Sequence, residues 1–368
     1  MAQTITGVND PKAVKKYSAF LAVDTPKASY FLSKFTGRGP ESGLPVQMLT
    51  QLENEAGDSI SYDLSLQMAM EPVEGDDILH GNEEDLKFAS DSILIDQMRC
   101  GVNTGGKMSR KRTVHDYRKI ARKRQSEWWA RCKDELHFMY ASGARGINSD
   151  FIFPTTYAGF AGNAFAAPDA DHIIYGNSAN TKAAMTSGDM MTLALIDKAV
   201  AVAEMMGGGI DQTPALQKIR IDGGEHFVLV MNPWQAHDLR TATGEGKWMD
   251  LQKAAAGAEG SKSSLFNGNM GMYNDVILHK HKSVIRFSDY GAGTVKAARG
   301  LFMGAQALEI AYGSGNGETR YEWNEESRDN GNQVVITSGC QFGIKKTRFA
   351  SKDFGMMALD TAAKDPRT

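Results

Sequence analysis

The chain has 368 residues, 42% hydrophobic and 23% charged, enough for one large domain or two or three subdomains, and this composition excludes disordered and collagen-like chains. No apolar run approaches the roughly 18 residues of a membrane span, and Met1 to Pro11 has neither a basic nor an apolar leader region, so neither a membrane nor a secreted protein is expected. The formal charge of -3 lacks the basic excess of a dedicated nucleic-acid binder, and three widely spaced cysteines (Cys100, Cys132, Cys340) cannot all pair, which fits buried thiols in a reducing compartment.

Residues 1 to about 40 lack a core period and carry Pro11, Pro26, Gly37, Gly39 and Pro40, the pattern of an extended arm with one short helix around Lys12 to Leu21. From Pro45 to Val73 the pattern turns to strand. Val46 and Met48 alternate with polar partners, Gly57-Asp58 makes a turn, and Ile60, Tyr62, Leu64, Leu66 and Met68 alternate with polar residues, which predicts a half-buried two-stranded ribbon. An acidic stretch follows, ending in a short strand at Ser92 to Asp96.

From Arg112 to about Ser142, Val114, Tyr117, Ala121, Trp128, Cys132, Leu136 and Met139 recur at helical spacing. They predict a rod of about 30 residues and roughly 45 Å, stopped by Gly143 and Gly146. Residues 147 to 185 read as an irregular packed excursion. A second helix is expected from Ser187 to Met206, capped by Ser187 or Asp189 and ended by Gly207-Gly208-Gly209. A buried strand, Phe227 to Met231, closes in Asn232-Pro233 and leads into a helix from Trp234 to about Thr241. Beyond a glycine-rich stretch come strands at Val276 to His279, Val284 to Phe287, Ala305 to Ala311, Val334 to Ile336 and Gln341 to Ile344, then a polar tail. The fold class is α+β.

Charge is segregated along this order. Glu71, Glu74, Asp76, Asp77, Glu83, Glu84, Asp85, Asp91 and Asp96 face Lys87 alone, whereas from Lys107 to Lys133 eleven bases, Arg118, Arg122, Lys123 and Arg124 among them, oppose only Asp116 and Glu127. Opposed blocks of this size suit docking between copies of the chain, or two solvated faces that meet within one subunit.

Chemical motifs are sparse. Gly101 to Met108 fits G-x-x-x-x-G-K but has Met108 where a nucleotide loop needs Ser or Thr, so Lys107 supports a P-loop enzyme only weakly. Gly313 to Gly317 reads as a turn. His279 and His281 share a strand face without an evident third metal ligand, and the acidic clusters lack calcium-loop spacing. H-E-x-x-H, C-x-x-C and G-x-S-x-G are all missing, so no catalytic residue, cofactor or metal is assigned.

The order of parts resembles the HK97-like fold of tailed-phage major capsid proteins, and more closely the N4-like podovirus major capsid protein family. The residues that carry the resemblance are Gly7 to Tyr17, Gly75-Asp76, Gly81 to Glu84, Ile95 to Arg99, Val230 to Pro233, Leu239-Arg240 and Trp248. It implies an N-terminal arm (1–39), an extended ribbon loop with the acidic segment (40–106), a peripheral domain with the spine helix (107–209), an axial domain (210–312), and a return to the peripheral domain with a C-terminal tail (313–368). It also implies a non-enzymatic virion protein, assembled in the bacterial cytoplasm into hexamers and pentamers of an icosahedral shell. Scaffolding, portal and cement or decoration proteins would be partners, with double-stranded DNA packaged inside. The acidic ribbon would lie across the basic spine of a neighbour, and Tyr17, Phe20, Leu21, Tyr30, Phe31 and Leu32 of the arm would pack on adjacent copies. An encapsulin-like compartment shell is the alternative within the same fold.

Overall fold

A computed structural model describes residues 24–367 apart from 40–41, 54–55, 66–67, 69, 76, 82, 114, 178, 208–214, 222–223, 242–269, 292 and 314–319. The helix expected at Lys12 to Leu21 lies outside these residues.

Two mixed sheets and one long helix organise the chain. In the first sheet Thr36–Arg38, Val46–Leu49 and Leu308–Gly313 run parallel in that order, and Leu308–Gly313 pairs antiparallel with the 14-residue strand Gln333–Lys346. That strand is the hub: Gln341 and Phe342 bond to Asp96–Asn103 on one edge and to Leu308–Gly313 on the other, while Tyr321–Arg328 pairs with its first half.

The spine helix, Tyr117–Ser142, lies along this hub. The Asp116 side chain caps its start by accepting from the backbone of Arg118 and Lys119, and Gly143, at φ 68°, ends it. Gln125 Nε2 donates to the Ile336 carbonyl at 3.0 Å, Trp129 Nε1 to Ser338 Oγ at 2.9 Å, and Lys133 Nζ lies 3.6 Å from Cys340 Sγ. Four residues of helix advance about 6 Å and two residues of strand about 6.6 Å, so a helix step of four keeps pace with a strand step of two.

The second sheet runs Gly271–Tyr273, Val276–Lys280, Gly224–Met231, Val295–Met303, Met356–Ala362 and Ile173–Tyr175, with Arg286–Tyr290 and Ile219–Ile221 paired at its margins. Phe227–Met231 is an unbroken apolar run because both faces are covered. Val228, Val230, Ile277, Leu301 and Met303 join the core under the spine, while Phe227, Leu229, Met231, Phe302 and Met357 join a second core under the helix Leu193–Met205.

Several expectations are corrected. The second helix starts at Leu193, not Ser187, because Thr192 is its cap, and it packs on the second sheet. The supposed polar tail contains the wholly buried strand Met356–Ala362. The ribbon is not made by Val46 and Ile60 neighbours: Ser59–Ser65 pairs with Phe88–Leu94, and Val46–Leu49 belongs to the first sheet. The two predicted strands at Val334 and Gln341 are one.

Candidate intersubunit surfaces

The ribbon base is fastened to the first sheet. Ile60 and Ile93 pack with Leu49, Leu52 and Ala311, and Lys345 forms an ion pair with Asp91. Tyr62 donates to Asp91 at 3.1 Å, and beside them Glu309 is almost fully buried, its carboxyl pushed up to about 7 by burial. Strand 333–346 approaches so closely here that a Cβ on Gly343 would sit 2.0 Å from the Leu94 carbonyl oxygen.

Beyond Ser65 the chain leaves this support. Glu71, Glu74, Asp77, Glu83 and Asp85 are exposed and Glu84 half-buried, while Asp76 lies outside the described residues. Large apolar side chains are exposed between these acids: Ile78 is 74% accessible, and Met68, Leu79, Leu86 and Phe88 all exceed half. An acidic strap with that much uncovered apolar surface is amphipathic, and such surface marks an interaction site.

On the spine, Lys123 and Arg124 are exposed, with Arg124 bonded to Glu127 on the same helix. Arg118 forms a 2.5 Å ion pair with Glu325, and half-buried Arg122 lies 3.5 Å from Asp24, so both are partly engaged by their own chain. Lys133, counted above among the bases, is fully buried: Tyr321 and Tyr312 accept from it at 2.8 and 3.2 Å, and its ammonium lies 4.9 Å from the Phe342 ring centre. Burial opposes its charge, and phenol oxygens and ring faces stand where a carboxylate would.

The arm's described part is docked on its own subunit. Phe31 is fully buried, stacked on His137 at 5.0 Å and edge-on to Phe138, which removes it from the neighbour contacts expected of it; Tyr30 stacks on His281 at 4.5 Å, and Leu32 packs on the same core. Asp134 fixes this docking by accepting from Ser29 Oγ and from the backbone of Tyr30 and Phe31, at 2.6, 2.8 and 3.1 Å. Its carboxyl is raised to about 6 by burial, against those hydrogen bonds. Tyr17, Phe20 and Leu21 lie outside the described residues.

The chemical candidates dissolve on inspection. Gly101 is strand, the helix after Gly106 is only Lys107–Lys111, and the Lys107 backbone N–H that would meet a phosphate donates to Asn332 at 3.0 Å. His279 is buried against Phe35, and among the described residues no group of three His, Cys, Asp or Glu is placed to hold a metal. Cys132 and Cys340 are buried and Cys100 half-buried, all as free thiols. Among the described residues no helix is long and apolar enough to cross a membrane. Asp134 and Glu309 escaped the sequence reading, because nothing local distinguishes them from surface acids.

Two sheets on a spine, with a charged strap uncovered by its own subunit, define a structural shell subunit of HK97-like α+β fold. The chain belongs to the phage capsid protein family, whose model matches residues 5–365, and so is a major capsid component of a phage virion and not an enzyme. It is 47% identical to a chain of the capsid of Ralstonia phage GP4, covering 99% of both chains with a TM-score of 0.84. It is also 25% identical to the major capsid protein of Pseudomonas phage KPP25, over 90% of this chain and 91% of that one. The cyanophage Pam1 capsid shares the fold at 19% identity, with a TM-score of 0.68 over 89% of this chain and 91% of that one. Neither the compartment shell nor the P-loop enzyme is favoured beside these likenesses.

Proposed function

We propose that this subunit assembles into hexamers and pentamers of an icosahedral head around double-stranded DNA, with its acidic strap lying across the basic spine of the next copy. The supporting observation is the exposed strap itself, whose apolar side chains alternate with acids. At the start of the spine Ile120 is exposed beside Lys119 and Lys123, and on the short helix before it Met108 is exposed beside Lys107, Lys111 and Arg112. Apolar contact would supply affinity and charge would set register.

In this reading the first sheet and spine form the peripheral part, and residues 210–312 supply the axial part at capsomer centres. Residues 1–23 would continue onto adjacent copies. Scaffolding, portal and cement or decoration proteins complete the partner set, assembly takes place in the host cytoplasm, and the subfamily is the N4-like podoviruses.

Charge reversal of Lys123 and Arg124, which gives up the exposed Arg124–Glu127 pair within the helix, tests the contact. Sedimentation and electron microscopy should show fewer closed shells while the subunit's urea midpoint stays put, and reversing Glu74 and Asp77 in the same chain should restore assembly. Normal assembly by the spine variant would refute the strap-on-spine contact.

A further inference from the structure

Four polar side chains meet where the ribbon base sits on the first sheet, two from each side. Tyr62 and Asp91 face one another across the ribbon strands Ser59–Ser65 and Phe88–Leu94, and Glu309 stands opposite Lys345 on strands Leu308–Gly313 and Gln333–Lys346. Lys345 pairs with Asp91, and Tyr62 donates to Asp91 Oδ2 at 3.1 Å. Glu309 Oε1 accepts from Thr347 at 3.3 Å, but its buried Oε2 meets no donor in hydrogen-bond geometry among the described residues. The other groups around it are neutral or engaged elsewhere. Gln47 is its neighbour on Val46–Leu49, Glu53 on the short helix Gln51–Glu53 pairs with Arg320, and Lys346 and Arg348 pair with Asp353. The spine packs on the opposite face of the sheet, against Leu308, Ile310 and Tyr312, so Lys133 lies on that far side.

Tyr62 lies against both carboxyls and has one proton to give. With Glu309 ionised, two carboxylates crowd one phenol and one ammonium in a largely buried joint, and one carboxylate oxygen is orphaned. With Glu309 protonated, its O–H donates to the Tyr62 oxygen, Tyr62 donates to Asp91, and Asp91 holds Lys345. Every one of the four is then satisfied, and one negative charge meets one positive. We infer that this joint is a proton-operated latch, which seats the ribbon on the first sheet while Glu309 carries a proton and loosens it when that proton leaves to solvent. Burial favours the neutral carboxyl and raises it to about 7, so the change falls near neutral pH. Loosening stays local because the apolar support at the ribbon base is small: Ile60 and Ile93 pack with Leu49, Leu52 and Ala311, and Ala89 with Phe349 and Phe354. The latch needs a single subunit alone, and its effect on where the strap reaches rests on the strap-on-spine contact proposed above.

Hydrogen–deuterium exchange of the unassembled subunit at pH 6 and pH 8, corrected for the intrinsic pH dependence of exchange, tests the latch. Amides of Ser59–Ser65 and Phe88–Leu94 should exchange several-fold faster at pH 8, while those of Phe227–Met231 in the second sheet keep one rate. Glu309→Gln, whose amide N–H takes the place of the carboxyl O–H, should protect the ribbon at both pH values. Tyr62→Phe, which breaks the chain of donors, should leave it fast at both. Equal ribbon protection of the unaltered chain at the two pH values would overturn the latch, as would a pH response that survives in Glu309→Gln or a Glu309→Gln ribbon that is fast at pH 6 while Phe227–Met231 stays protected. If Glu309→Gln exposes Phe227–Met231 as well, Tyr62→Phe decides alone: a pH response retained there overturns the latch, and its loss supports it. None of these results bears on the strap-on-spine contact, which is read from assembly of the Lys123 and Arg124 variant.

Discussion

Asp134 caps a helix that it does not belong to: its Oδ1 accepts from Ser29 Oγ at 2.6 Å, across 105 residues of sequence. Ser29 in turn accepts from the Leu32 backbone, so one carboxylate and one hydroxyl together satisfy the first turn of Tyr30–Lys34. The arm is thereby pinned to the middle of the spine.

Replacing Asp134 with Ala should therefore cost roughly 2 kcal/mol, the scale of a lost cap with charge-assisted hydrogen bonds. Limited proteolysis should find the segment around residues 24–39 cut faster. Asn, which keeps one acceptor oxygen, should lose less; equal losses for Ala and Asn would mean that the acceptor oxygens matter little.

The buried titratable groups set opposing pH dependences. His137 and His281 fall to about 4 through burial, so the folded chain binds fewer protons than the unfolded chain between pH 6.5 and 4, and their contribution is lost as pH falls through that window. Glu309, raised to about 7, and Asp134, raised to about 6, bind protons more tightly when folded, and their contribution is lost as pH rises. Between pH 6 and pH 8 the loss from Glu309 and the last part of Asp134's is offset by a gain of roughly 1 kcal/mol from each histidine as the unfolded chain's imidazoles, at about 6.5, lose their protons, so the subunit's net stability should change by less than about 1 kcal/mol. Glu309→Gln removes the opposing loss and should turn this flat profile into a rise of about 1 kcal/mol, read from urea midpoints at the two pH values; an unchanged profile would contradict the Glu309 contribution.

Arg299 and Asp360 form a two-pronged pair, with both N–O distances 2.7 Å; Tyr290 donates to Asp360, and Arg299 reaches the Ser142 carbonyl at 2.6 Å. Removing one member leaves a buried charge without its partner, so Asp360→Ala should cost about 3–5 kcal/mol. The double change Arg299→Met with Asp360→Leu should be milder than Asp360→Ala alone. Additive losses in that double-variant cycle would contradict the pairing as the source.

Gly143 should resist substitution for two reasons: its φ of 68° and the 2.0 Å at which a Cβ would meet the Ala166 carbonyl oxygen. Gly143→Ala should cost more than about 2 kcal/mol, whereas Gly293→Ala, at φ 82° with open space around it, should cost only about 1 kcal/mol of backbone strain. Thermal melts of the two variants separate steric conflict from dihedral preference.

The spine was legible because its apolar residues repeat at helical spacing, and Phe227–Met231 because five apolar residues stand together. Strands Val295–Met303 and Met356–Ala362 were not, and the reason is mutual: the first carries Arg299 and the second Asp360, each of which makes its own segment look solvated until the other is beside it. The ribbon's partner was missed because Ser65 and Phe88 are separated by the strap, and period-2 patterning names a strand without naming what it pairs with. Of the intersubunit candidates, the charge blocks were readable from composition, whereas the internal docking of Phe31 depends on His137 and Phe138 far along the chain.

Strand Met356–Ala362 lies between Val295–Met303 and Ile173–Tyr175 inside the second sheet. During synthesis on the ribosome these two flanking strands emerge first and have no bonding partner in common until residue 356 follows. Translation thus acts as a clock: a nascent subunit holds a split sheet until its closing strand arrives, and a growing shell is supplied with subunits completed only at that late step.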